Sequence, residues 1–429
     1  MKYFVSTLKF SIPIIFSRAG SQILTLLNLA MIGQYGSQEL SVFGLTSSPY
    51  FTLILIALCL TSGLPIAIAR SRENPEILIQ QLKISFWYWM FLMTIVVLLW
   101  LMFGLFFSDH ETSKILFILA FAVPAFIGVF LLSVIVESLG MPQVAAIVTV
   151  IAIPLNYILN KIFISIFEAN YGAAFACTLG MTVTRWAMSI LICGYLIKSM
   201  KSKNRGLDIF NIKLSHTIKG IYDQLTFGAP IALSYGLRSS LMTVLTVSVV
   251  KFGRLEVAAF TIMSQMLLLG TLISRGVSSA TIIKVSSVFE KNNTSEIRTI
   301  VTSSIAVVFV LLSVLTLPIL LMPILSLKIF TNDMLLINNL RSFGALIVLL
   351  FLIDGIANIL IGVLRPIGDR WLPQAIFGLS IGMVLVYMSV VPTADFADVI
   401  QALLISQAGA LIMVLSRVYY RLKLGEFRS

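Results

Sequence analysis

The residues able to do chemistry in this chain are few, and most lie inside apolar runs. Arg18, Arg185 and Arg238 each fall deep within a run long enough to cross a membrane, and Asp354 is the acid clearly placed in the middle of one. An arginine at the centre of a membrane helix costs about 2.5–3.5 kcal/mol on insertion scales, so it faces a bundle interior or a wet cavity and needs a partner. It cannot escape by losing its proton. It must be paired, hydrated or bound to an anion. A carboxyl differs, because its protonation answers to its surroundings. Asp354 is therefore suited to carry a coupling proton or cation.

Two arrangements fit these charges. In one, Arg238 and Asp354 form a structural ion pair, which persists because breaking such a pair leaves a buried charge. In the other, Arg238 lines a positive cavity with Arg18 or Arg185, suited to an anionic or zwitterionic molecule such as a carboxylate metabolite or siderophore. The two coexist if a substrate anion, or a proton on Asp354, competes for the pair. That competition is the differential interaction a conformational change requires. Asn358 stands one turn beyond Asp354 and shares its face. Asn156 and Asn160 share another. Asn358, Asn156, Tyr235 and Gln265 complete the candidate substrate contacts, although amides in membrane helices also serve as interhelical glue. Lys161 and Arg275 lie near enough to helix ends to snorkel.

Other chemistries find no support. Cys59, Cys177 and Cys193 lie in apolar runs with neither a disulfide framework nor metal-ligand spacing, and His110 and His216 fall in loops. No H-E-x-x-H and no GxxxxGK[ST] is present. We expect no enzyme, no metal and no cofactor, with an H+ or Na+ gradient rather than ATP as the energy source.

The elements that position these residues are membrane helices. The chain of 429 residues is 59% hydrophobic and 11% charged, with a mean hydropathy of +1.01. A bilayer core takes about 20 apolar residues per helical crossing. Helical spans are expected at 10–33, 43–69, 84–107, 115–138, 143–167, 171–197, 227–250, 256–284, 299–325, 340–364, 372–392 and 397–417. The first is read as a mature helix, since no cleavage site follows it. Twelve crossings put both termini on one side. The loops of that side hold twenty Lys and Arg against five opposite, which makes it cytoplasmic. The net charge of +12 is thus mostly topological. The run KSMKSKNR (198–205) reads as an anchor beside anionic lipid, not a nucleic-acid site.

The chain repeats itself at an offset of 217: FSIPIIFS (10–17) lies on FGAPIALS (227–234), and QYGSQELSVFG (34–44) on KFGRLEVAAFT (251–261). Pro13, Gly36, Glu39 and Phe43 meet Pro230, Gly253, Glu256 and Phe260. Each half has six crossings, so both insert the same way up, as in transporters built of parallel repeats with the substrate site between halves. The expected fold is an all-α polytopic membrane protein. An N-terminal six-helix lobe spans 1–197, a cytoplasmic linker 198–226, and a C-terminal six-helix lobe 227–429.

Several segments resemble the multidrug and toxic compound extrusion (MATE) family of transporters. PIIFSRAGSQILTLLNLAMIGQYG (13–36) looks like its first helix and PIALSYGLRSSLMTVLTVSVVKFG (230–253) like its seventh. YGAAFACTLG (171–180) is similar to the opening of the sixth, and DGIANILIGVLRPIGDRWLP (354–373) to the end of the tenth and its loop. The resemblance implies a bundle of two six-helix lobes that exports small organic molecules by alternating access in exchange for H+ or Na+. It implies a monomer in a bacterial cytoplasmic membrane. It also implies acids at set places, and here the chain departs: Asn28 stands at the first-helix acid and Arg238 at the seventh-helix acid, while Asp354 is kept. Asp354, with Asn28, is therefore the expected coupling-ion position. A lipid-linked saccharide flippase and an ordinary exporter of organic cations are the competing readings.

Overall fold

A computed structural model of the chain describes residues 2–35, 37–105, 110–202, 214–249, 254–289, 294–327, 334–369, 371–391 and 396–424. Every regular element among these is helical. In order they are α1 (Lys2–Gly33), α2 (Ser37–Leu60), α3 (Leu64–Arg70), α4 (Pro75–Gly104), α5 (His110–Ser138), α6 (Pro142–Ser202) and α7 (Leu214–Val249). They continue as α8 (Arg254–Phe289), α9 (Thr294–Leu321), α10 (Pro323–Leu327), α11 (Met334–Ser342), α12 (Gly344–Leu364), α13 (Leu372–Val390) and α14 (Phe396–Leu424).

These account for the twelve expected spans with five local differences. The span at 43–69 is α2 and α3 joined by a 3-10 turn at Thr61–Gly63. The spans at 299–325 and 340–364 are each divided, before Pro323 and at Phe343. The fifth and sixth spans run together as α6, but Gly172 breaks the helical backbone at φ 81, ψ 162. That φ belongs to the left-handed side where glycine is at ease. The Glu39 carboxylate fills the space a side chain at Gly172 would occupy and accepts from Ala174 N at 2.7 Å. Helix α7 begins thirteen residues before the span expected at 227, so the end of the 198–226 segment is helical rather than linker.

The chain forms two compact units. The first is Phe16–Ala232; the second is Met1–Ile15 with Leu233–Ser429. Both divisions fall inside a helix, two residues past Pro13 of α1 and two past Pro230 of α7, at the same offset of 217 that relates the halves. The sequence-based boundaries at 197 and 227 lie elsewhere, and the packing explains the difference. The early turns of α1 belong with α8, where Gly276 leaves room for Ile15 and Lys284 donates to Ser6 and Thr7 at 3.0 and 3.1 Å. The early turns of α7 belong with the first unit. Gly220 meets Ile84, Gly63 meets Gln224 and Phe227, and Gly228 meets the Leu60 backbone. Glycines permit these approaches, as small residues do wherever membrane helices pack tightly.

Each unit has its own apolar core. In the first, Tyr50, Trp100 and Phe126 pack edge to face around α2, α4 and α5. In the second, α12 is central, and Val308, Leu312, Phe351, Leu360 and Val414 are buried about it. The repeat survives in three dimensions: Phe43 and Phe260 are both buried, and Glu39 and Glu256 both lie in a first helical turn.

Candidate functional site

In the first unit a polar column runs along one face of α1. Arg18, Ser21, Thr25 and Asn28 are spaced by three, four and three residues, the spacing that keeps side chains on one stripe. Arg18 Nη2 meets Glu137 Oε2 of α5 at 3.0 Å, with its guanidinium over the Phe130 ring. One turn on, Arg185 of α6 donates from Nη1 to Ser21 Oγ at 2.9 Å and from Nη2 to Ser21 O at 3.4 Å. Two turns further, Asn160 Nδ2 donates to Asn28 Oδ1 at 2.7 Å and to Asn156 Oδ1 at 3.4 Å. Asn28 donates back to Leu24 O at 2.8 Å, and Asn156 to Thr184 Oγ1 at 3.3 Å.

The balance of charge differs along this column. Arg18 has a carboxylate. Arg185, only 1% exposed, has none among the described residues. Its guanidinium carbon lies 4.2 Å from the centre of the Phe126 ring, and its Nε has no hydrogen-bond partner among the described residues. The Tyr50 hydroxyl, on the α2 side of the same ring cluster, also lacks one. A buried cation whose described partners are a hydroxyl, a carbonyl and an aromatic face keeps much of its desolvation cost. An anion arriving there is met by donors already in place. The amide group of Asn28, Asn156 and Asn160 carries no formal charge, so it has hydrogen-bonding capacity but no counter-ion for a cation.

In the second unit Asp354 sits on α12, 4% exposed. Close helix contacts set its position. A side chain at Gly362 would strike Ser278 Oγ of α8, one at Gly270 the Phe351 ring, and one at Gly355 the Leu312 side chain of α9. Ser278 Oγ donates to Asn358 O at 2.8 Å, which fixes the rotation of α12. Asn358 Nδ2 then donates to Asp354 Oδ2 at 2.9 Å, one turn back. Tyr235 lies under the Arg275 guanidinium, 4.8 Å from the ring centre to Cζ. The side chains of Arg238 and Gln265 lie outside the described residues, and with them the expected pairing of Arg238 with Asp354.

The structure thus groups Asn28 with Asn156 and Asn160, sets Arg185 one step along the same column, and groups Asn358 with Asp354. Arg18, expected beside a cavity, is held by Glu137 instead. Asp369 is a residue that reading the sequence did not single out. Its carboxylate takes Arg417 Nε at 2.5 Å and Arg421 Nε at 3.8 Å, tying the turn after α12 to the end of α14. The signal was present in LRPIGD: Gly368 has φ 93, and an acid beside a glycine at positive φ marks a specified turn.

Comparison with known proteins places this geometry. The MatE family model matches residues 13–162 and 230–390, two segments that begin at the repeat-related prolines. The probable multidrug resistance protein NorM of Buchnera aphidicola subsp. Baizongia pistaciae (strain Bp) is 22% identical over 69% of each chain. A MATE protein solved in a bent conformation is 18% identical and superposes with a TM-score of 0.84, covering 98% of this chain and 95% of that one. The eukaryotic MATE transporter AtDTX14 is 16% identical, with a TM-score of 0.79 over 98% of both chains. A MOP superfamily transporter from Pyrococcus furiosus is 17% identical, with a TM-score of 0.79 over 99% of this chain and 97% of that one; its binding pocket is described as having reverse polarity.

Proposed function

The chain belongs to the MATE family of multi-pass membrane transporters, and on that premise we propose that it is a secondary antiporter exporting an anionic or zwitterionic small organic molecule. It works by alternating access in a bacterial cytoplasmic membrane, as a monomer with both termini inside. An H+ or Na+ gradient drives it and no cofactor is needed. Asp354 carries the coupling ion, with Asn358 holding its carboxylate. Arg185 receives the acidic group of the substrate, with Ser21 and the Tyr50 hydroxyl beside it.

The observation that carries this reading is the buried Arg185 guanidinium with no carboxylate beside it among the described residues. An exporter of organic cations needs a carboxylate facing its substrate; around Arg185 the described residues supply a guanidinium and hydroxyls instead. The reverse-polarity pocket described for the Pyrococcus furiosus protein is a precedent on the same fold for a site of altered charge. Asn28 cannot supply the charge of an acid at its position, which leaves Asp354 for coupling.

The test is a thermal-shift panel of matched organic anions and organic cations, with pyrophosphate included for the flippase reading, on the wild type and on Arg185→Gln. A ligand at a hundred times its Kd stabilises by about 2.7 kcal/mol. Organic anions are expected to give such a shift and to lose it in the variant. Cations alone stabilising both proteins would return the chain to ordinary cationic export, and pyrophosphate alone would favour the flippase. Coupling is read separately in proteoliposomes. Exchange by Asp354→Asn with unchanged dependence on H+ and Na+ would remove Asp354 from the mechanism.

A further inference from the structure

The first unit carries a recess away from the polar column, between the start of α5 and the middle of α6. It has a volume of about 480 Å³ and is open along one side. That lies within the range of about 300–1,000 Å³ common for small-molecule pockets. Its two ends differ in chemistry. At one end Ser113 and Lys114, in the second turn of α5, meet Tyr171 of α6. At the other lie Phe117, Phe175 and Leu179. Tyr171 stands at the Gly172 break, and Phe175 and Leu179 follow on the next limb of α6, one turn or about 6 Å apart at 1.5 Å per residue. The recess therefore has a cationic, hydroxyl-bearing head and an aromatic floor in line with the helix axes.

The surface around it is apolar. Phe117 is 73% exposed and Phe121, one turn further along α5, is 63% exposed. On a membrane helix such side chains face lipid. Tyr171 and Phe175 stack with ring centres 4.9 Å apart, and Phe167 packs edge-on against both, so the floor is preformed. Lys114 Nζ sits over the Tyr171 ring, 4.6 Å from its centre, which keeps the ammonium at the mouth. The nearby Glu39 carboxylate is taken up by Ala174 N on the far side of the Gly172 break.

We propose that this recess is a binding site for an anionic phospholipid, whose phosphate is held by Lys114 and Ser113 and whose acyl chain lies along Phe117, Phe175 and Leu179. Charge complementarity selects the headgroup, since a lysine at the membrane surface attracts anionic lipid where a zwitterionic headgroup gains little. Hydrocarbon against an aromatic floor supplies the non-selective part of the affinity. Under the topology of basic loops the site serves the non-cytoplasmic leaflet. An anchored lipid there would brace the two limbs of α6 across the Gly172 break.

Native mass spectrometry of the full-length detergent-purified protein, delipidated and titrated with phosphatidylglycerol or phosphatidylethanolamine, tests this. The wild type should retain phosphatidylglycerol over phosphatidylethanolamine by about fivefold, the worth of one lysine beside anionic lipid. Lys114→Gln should bring the ratio near one. Lys161→Gln, exposed on α6 outside the recess, should leave it intact. Leu179→Trp should lower retention of both lipids, with a thermal melt confirming that each variant is folded. Equal retention of the two lipids by the wild type overturns the proposal. So does an unchanged preference in Lys114→Gln, or unchanged retention in Leu179→Trp. None of these readouts depends on transport, so the outcome is separable from that of the anion panel.

Discussion

Asn160 donates from Nδ2 to Asn28 Oδ1 across 2.7 Å, joining α6 to α1 through two uncharged amides. Both residues are fully buried. The bond lets the bundle close over polar groups without burying a charge. Interhelical hydrogen bonds of this kind in membranes are worth about 0.6–1.7 kcal/mol. Asn28→Ala and Asn160→Ala should each destabilise the protein, and a double-mutant cycle in a denaturant titration should show coupling of about that size. Additive losses would mean that the pair does not act as a unit.

Gly180 makes that contact possible. A Cβ there would stand 2.1 Å from Asn160 Oδ1 and 3.3 Å from the Asn160 backbone nitrogen. Gly180→Ala should therefore cost about 1–3 kcal/mol through overpacking. Gly194, on the same limb of α6, has nothing within 4 Å of such a Cβ. There the same change should be neutral or stabilising by up to about 1 kcal/mol, because alanine is the better helix former. Comparing the two melting temperatures checks the contact directly, and equal shifts would refute it.

The ion pair of Arg18 with Glu137 has a buried carboxylate and a partly buried guanidinium, and should behave much as a buried pair does. Glu137→Leu or Arg18→Met alone leaves one charge without its partner and should cost about 3–5 kcal/mol. The double variant should recover most of the loss, since two apolar side chains of similar volume remove both desolvation penalties. Unfolding of the three variants beside the wild type measures this. If Arg18→Met alone is tolerated at no cost, the pair is not structural and Arg18 returns to the candidates for substrate contact.

Asp369 clamps the turn after α12 to α14 through Arg417 and Arg421. The same α12 carries Asp354, so the clamp holds the C-terminal end of the helix on which Asp354 sits. Asp369→Asn should raise hydrogen exchange at 365–369 and in the last turns of α14, while exchange around Asp354 stays low. Arg417→Gln should reproduce part of the effect, and adding Arg421→Gln the rest. Faster exchange confined to other helices would rule out the clamp.

Particular residues show how far the sequence could be read. The twelve crossings, their all-α character and the repeat at 217 were legible because hydropathy over twenty residues and prolines, glycines and acids in register survive in one dimension. Pro13 and Pro230 even marked, unrecognised, the points two residues before each compact unit changes. The amides were legible as a face, since Asn156 and Asn160 are one turn apart. Their partner on α1 was not.

Arg18 shows why. Its acid lies 119 residues away on α5, and Ser21, which meets Arg185, lies 164 residues from it. In a soluble helix the polar face points outward and the pattern reveals rotation. In a membrane helix the lipid-facing and core-facing sides are both apolar, so composition sets the number and length of the crossings but not their rotation about their axes. Close packing of helices at Gly20, Gly180, Gly276 and Gly362 supplies that rotation, and only there does the partly buried Arg18 find a carboxylate while the buried Arg185, one turn along the same column, finds none among the described residues.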